Sequence, residues 1–93
     1  MFIHMSIHHP KPGAEAALID SMHRFGAAIK GAPGLISVST LQDKDADVLV
    51  GLALWESREA MLASIHLARA ATENDPFDEW EADEITGYRL VEV

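Results

Sequence analysis

Polar and apolar side chains alternate in the first segment, FIHMSIHH at Phe2–His9, with Ile3, Met5 and Ile7 on one side and Phe2, His4, Ser6 and His8 on the other. A period of two predicts a strand with two distinct faces. The run PKPG, Pro10–Gly13, stops it, because proline has no donor for a ladder and glycine admits a turn. The period then changes. From Ala14 to Lys30, Leu18, Met22, Phe25 and Ile29 recur at steps of four, three and four, which lines one side of a helix. Lys30 stands near the negative end of that helix dipole, and Arg24 lies off the stripe.

GAPG, Gly31–Gly34, ends the helix, and LISVSTL, Leu35–Leu41, has the β-branched composition of a strand. The polar turn DKDAD, Asp43–Asp47, leads into VLVGLALW, Val48–Trp55, so the two runs form a hairpin. The second run is apolar almost throughout, which predicts burial on both faces. Ser57 is placed to cap a second helix with Glu59 in its first turn, and Met61, Ile65 and Ala68 form its buried stripe, ending near Asn74 and Pro76. ITGYRLVEV, Ile85–Val93, is the last strand. The order is β-α-β-β-α-β, an α+β, ferredoxin-like arrangement in which a four-stranded antiparallel sheet carries two helices on one face. Residues 1–93 form one domain. Because the third strand is apolar on both sides, the second face of the sheet also requires cover, and a second copy of the sheet supplies it most simply. A homodimer closing as an α+β barrel is the expected assembly.

Composition narrows the partners. The 93-residue chain is 48% hydrophobic and 24% charged, values of an ordinary folded domain. It contains no cysteine, so oligomerisation remains the means of reinforcing a small core. A net charge of −8 with scattered basic residues opposes nucleic-acid binding. With no signal-like N-terminus and no apolar segment of about 20 residues, no membrane association is expected and the cytoplasm is the expected location. The acids Glu73, Asp75, Asp78, Glu79, Glu81, Asp83 and Glu84 crowd one connection without the glycine turn of a calcium loop, and read as a solvated, charged link.

Three motifs in order carry a family resemblance: KPG at Lys11–Gly13 after the first strand, APGLISV at Ala32–Val38 opening the second, and LWESREAM at Leu54–Met61 joining the third strand to the second helix. The chain resembles the antibiotic-biosynthesis-monooxygenase-like (ABM) family of dimeric α+β barrels over nearly its whole length. The resemblance implies a range of activities, among them oxidation of aromatic phenols or anthrones without a cofactor, haem opening and quinol chemistry. The haem-opening branch has an asparagine on the first strand and a tryptophan and a histidine on the second helix and its extension. Those places fall near Ser6, Ala63 and Glu73 here, so haem opening is disfavoured and no cofactor is expected.

Candidate chemistry centres on the first strand. With Ile3, Met5 and Ile7 taken to face the helices, His4, Ser6 and His8 face the enclosed space. An imidazole of near-neutral pKa can take a proton from a phenol or an activated carbon acid, leaving an anion that reacts with oxygen. His4, deeper in the strand, is the favoured base, with Ser6 as its hydrogen-bonding neighbour; His4 and His8 have the plainer alternative of solvated rim residues. They share a face about 13 Å apart at roughly 3.3 Å per residue, too far for one zinc ion, and no metal site is expected. His23 reads as a helix-flank residue. Trp55, His66, Trp80 and Tyr88 are candidates to contact a substrate. Each has another reading: Trp55 as an anchor at a strand end, His66 as a helix flank, and Trp80 with Phe77 packed back on the domain. Only one of Tyr88 and Arg89 can look into the cavity. Two classes of function stand, a cofactor-independent monooxygenase acting on a small aromatic phenol, anthrone or quinol, and a non-catalytic dimeric scaffold or binder of a small apolar or aromatic ligand.

Overall fold

The computed structural model describes all residues, Met1–Val93. Its elements are β1 (Phe2–His8), α1 (Glu15–Ile29), β2 (Leu35–Asp43), β3 (Val48–Trp55), α2 (Arg58–Thr72), a single turn α3 (Phe77–Trp80) and β4 (Thr86–Val91). The strands form one antiparallel sheet in the order β2-β3-β1-β4. No helix is long and apolar enough to cross a membrane.

Local chemistry sets the boundaries. Gly13, Gly31 and Gly34 all take φ near +84°, a conformation that L-residues with a Cβ disfavour. Gly13 turns the chain from β1 into α1, and Gly31 and Gly34 bracket the exit from α1. The Ser57 hydroxyl accepts from the Ala60 N–H at 3.1 Å and caps α2 as its position predicts. In the β2–β3 turn the Asp43 carboxylate accepts from the N–H groups of Asp45 and Ala46.

Both long helices cover one face of the sheet. Ile29 of α1 and Met61, Ile65 and Ala68 of α2 pack with Phe2, Ala53 and Trp55, and a smaller cluster joins Leu18 and Met22 to Leu49. Trp55 is the largest fully buried side chain, and its indole N–H has no partner, a desolvation cost of about 1–3 kcal/mol.

Phe2 lies in the helix-facing core, so period two sends His4, Ser6 and His8 to the helix side and Ile3, Met5 and Ile7 to the other. This reverses the face expected for Ile3, Met5 and Ile7. Alternation alone could not decide it, because β3 offers apolar partners on both sides: Leu54, Leu52 and Val50 stand opposite Ile3, Met5 and Ile7, whereas Ala53, Gly51 and Leu49 stand opposite His4, Ser6 and His8. The small residues Ala53 and Gly51 leave room on the helix side for the polar row of β1.

A second departure is the connection after α2. It is not simply a solvated link. Asp75 accepts from the Ser21 hydroxyl at 2.6 Å and from Arg24 at 3.0 Å, and Glu81 is buried. The backbone bonds from Lys11 N–H to the Trp80 carbonyl and from Ala82 N–H to the His9 carbonyl fasten the same segment to the end of β1.

Candidate functional site

A cleft of about 350 Å³ opens between the sheet and the helix layer of a single chain. Among its lining residues the sheet contributes His4, Ser6 and His8 from β1, Val38 and Thr40 from β2, Gly51 and Ala53 from β3 and Gly87 from β4, and the helices contribute Met22 and Phe25 of α1, Arg69 and Thr72 of α2 and Phe77 of α3. Apolar side chains and a few convergent polar groups are the usual make-up of a small-molecule site. A larger, shallower depression of about 570 Å³ between α1 and β2 holds His23 and Lys30 as its only titratable groups. The narrower cleft is where the chemistry converges.

His4 is half-buried in that cleft. Burial, then the positive charges of Arg89 and Arg69, hold its imidazole below the usual value of 6.5, so the ring is neutral at physiological pH. Arg89 stands opposite His4 in the β1–β4 register, whereas Tyr88 stands opposite Met5. Arg89 therefore shares the face of His4 and Tyr88 the other. Two of only seven basic residues in a chain of net charge −8 act on this one imidazole.

Four residues along the strand, at His8, a second arrangement appears. The ring of His8 lies 2.6 Å by Nδ1 from Glu81 Oε2 and 2.9 Å by Nε2 from Ser6 Oγ. An ionised carboxylate only accepts, so Nδ1 carries the proton and donates to Glu81; in the neutral ring Nε2 then accepts from the Ser6 hydroxyl. The other Glu81 oxygen accepts from the His9 N–H at 3.1 Å. His8 and Glu81 are 7% and 8% exposed, and of the three Ser6 and His8 line the cleft while Glu81 lies behind them. Gly51 makes the arrangement fit: a Cβ there would stand 2.7 Å from Ser6 Oγ.

The cleft thus brings together His4, Ser6 and His8. The other residues considered for substrate contact do not line it. Trp55 is sealed in the core at 0% exposure, and Tyr88, 43% exposed, lies on the far face of the sheet. His66 is exposed on α2. Trp80 meets Phe77 edge to face at 5.9 Å and packs against the Leu18–Met22–Leu49 cluster, and of these two aromatics only Phe77 reaches the cleft. Sequence reasoning missed Arg69 and Glu81. Arg69 carries a weak signal, a cation in the last turn of α2 with the small residues Ala68, Ala70 and Ala71 around it. Glu81 carries none beyond membership of an acidic run. No group of three or more His, Cys, Asp or Glu side chains is arranged to hold a metal ion.

The sequence profile of antibiotic biosynthesis monooxygenase matches residues 1–72. No curated protein matches the chain significantly. Among solved structures, Rv0793 from Mycobacterium tuberculosis is similar with a TM-score of 0.82 at 17% identity, over 99% of this chain and 94% of that one. A provisionally named antibiotic biosynthesis monooxygenase from Nitrosomonas europaea is similar with a TM-score of 0.75 at 16% identity, covering 100% of this chain and 99% of its own. A further antibiotic biosynthesis monooxygenase structure gives 0.79 at 12% identity, with 100% and 99% covered. At these identities the structural likeness is one of fold.

Proposed function

Because this chain belongs to the antibiotic biosynthesis monooxygenase family, we propose that it is a monooxygenase working without a bound cofactor on a small aromatic phenol, anthrone or quinol held in the cleft between sheet and helices. One observation carries this reading: His4 is a neutral imidazole, kept so by burial, Arg89 and Arg69, in a cleft walled by Met22, Phe25, Val38 and Phe77. The aromatic and aliphatic wall suits a ring. A neutral ring nitrogen takes the acidic proton of a phenol or of an activated C–H bond. The anion left behind gains from the same cations that disfavour imidazolium.

The electron-rich anion supplies the electrons for dioxygen. For an anthrone, the deprotonated ring carbon forms the new C–O bond, the proton on His4 passes to the distal oxygen, and loss of water leaves a carbonyl. One oxygen atom ends in the quinone and the other in water, and both reducing electrons come from the substrate.

The assembly we propose is the homodimer, supported by the apolar far face of the sheet. Ile3, Met5, Ile7, Val50, Leu52 and Leu54 share that face with Tyr88 and Leu90, and β4 is exposed along its length. Burying such a surface against a second copy removes it from water and protects the sheet edges.

Oxygen uptake by the metal-stripped protein with a panel of anthrones, dihydroxynaphthalenes and quinols tests the activity. We expect protein-dependent uptake with at least one member, and a fall of roughly 10²–10⁴-fold in His4→Ala, the range for a general base. Full turnover in His4→Ala would remove His4 from the mechanism. Binding of a ring without uptake in the wild type would favour a non-catalytic ligand-binding role.

A further inference from the structure

The geometry points to a second activity in the same cleft: we propose that Ser6, His8 and Glu81 form a serine acyl-transfer site that hydrolyses small apolar esters. A serine is a weak nucleophile unless an adjacent base removes its proton as it attacks, and the base must itself be oriented by a third group. Both requirements are met here at hydrogen-bond distance. Ser6 Oγ is 2.9 Å from His8 Nε2, and His8 Nδ1 is 2.6 Å from Glu81 Oε2. Glu81 is itself fixed by the His9 N–H at 3.1 Å. Such an arrangement is recognised by geometry and roles, not by chain order, and a strand serves it well because residues at i and i+2 project side by side.

A purely structural role would not need Ser6. The His8–Glu81 contact alone ties the connection to β1, whereas Ser6 adds a hydroxyl that lines the cleft and for which Gly51 leaves space. The step sequence balances without a co-reactant other than water. Ser6 Oγ attacks the ester carbonyl carbon while its proton passes to His8 Nε2. The C–O bond to the alcohol breaks, and the leaving oxygen takes that proton. Water then attacks the acyl-serine, again giving its proton to His8, and the carboxylic acid leaves as the Ser6 hydroxyl is restored. Arg69, in the wall of the same cleft, is the cation available to the negative charge that develops on the carbonyl oxygen. A cleft of about 350 Å³ with Phe25, Val38 and Phe77 in its wall takes an aryl or short-chain acyl ester.

This inference is independent of the oxygenase reading, since it uses His8 where that reading uses His4 and needs no oxygen. The test is labelling of the intact protein under nitrogen with a short-chain alkyl fluorophosphonate, read by peptide mass spectrometry, beside hydrolysis of p-nitrophenyl butyrate. We expect one adduct per chain on Ser6 and p-nitrophenolate release, both lost in Ser6→Ala. Glu81 is a positioning residue: Glu81→Gln is expected to lower the maximal labelling rate by roughly 10²-fold or more with the probe's binding constant unchanged. Gly51→Ala, whose added Cβ would press on the Ser6 hydroxyl from 2.7 Å while Ser6, His8 and Glu81 are all retained, is expected to slow labelling as well. No adduct after prolonged excess of probe, an adduct on another residue, undiminished hydrolysis by Ser6→Ala, or an unchanged maximal rate in Glu81→Gln would each overturn the proposal.

Discussion

At the scale of single residues, His4 links the cleft to stability. Its imidazole is held below 6.5 by burial and by Arg89 and Arg69, so below that pH the unfolded chain takes up a proton that the folded chain resists. The unfolded state binds more protons in that window, and stability therefore rises with pH there and is lost as pH falls through 6.5 towards the depressed value. Urea denaturation from about pH 7 down to about pH 5 should show a steeper loss for the wild type than for His4→Gln, which carries no titrating ring. Equal slopes would mean that the imidazole is better solvated than its position implies. Much of the candidate site was legible at this scale. His4, Ser6 and His8 lie on one side of a strand by period alone, and strand pleating brings Ser6 beside His8. Glu81 was not legible, because its partner is 73 positions away and nothing local separates it from the acids around it. The same holds for Arg69, whose part in the cleft depends on how a helix lies across a sheet.

Among the elements, the joint between α1, β2 and α2 is the most constrained. Gly34 has φ +84°, and a Cβ there would stand 2.5 Å from the Ala60 Cβ, while its carbonyl accepts from the Glu56 N–H at 2.7 Å. Gly31 has the same φ with nothing within 4 Å of a Cβ. Both alanine variants lose about 1–2 kcal/mol to the left-handed backbone, but Gly34→Ala must also push β2 away from α2. Thermal melting should rank Gly34→Ala clearly below Gly31→Ala; equal melting points would show that the joint gives way without cost. The elements themselves were readable from periodicity, caps and turn residues, and β3 and the Ser57 cap stand where the sequence puts them. One irregularity was not. Leu35 pairs with Trp55 and Ser37 with Leu54, so Ile36 is an extra residue in a bulge. That shift turns Leu35 towards the helices, where it packs on the core, and leaves Ile36 54% exposed. Alternation along LISVSTL carries no mark of it.

For the whole molecule, the order β-α-β-β-α-β and the layer of helices on one side followed from the sequence, but which side of β1 met that layer did not. Both faces of β3 are apolar, and the choice rests on packing volume: Ala53 and Gly51 accommodate His4 and Ser6, while Leu52 and Leu54 extend the opposite surface. That surface is the proposed dimer interface. Light scattering at micromolar concentration should give the mass of two chains, and Leu52→Glu, which sets a charge in the middle of the face, should give one. A stable wild-type monomer would remove the barrel. The fastening of the connection to β1 carries one more consequence, in the order of events as the chain folds. Nearly everything in the cleft is supplied by residues up to Thr72, but the carboxylate that orients His8 arrives from a segment that docks through contacts among the longest in sequence. Contacts of such separation tend to form late, since the intervening chain must already be ordered before they close. A chain that has folded only through its second helix therefore holds a serine and a histidine without the carboxylate that orients the ring, and the proposed nucleophile is assembled only after the segment that carries Glu81 has been made and has docked.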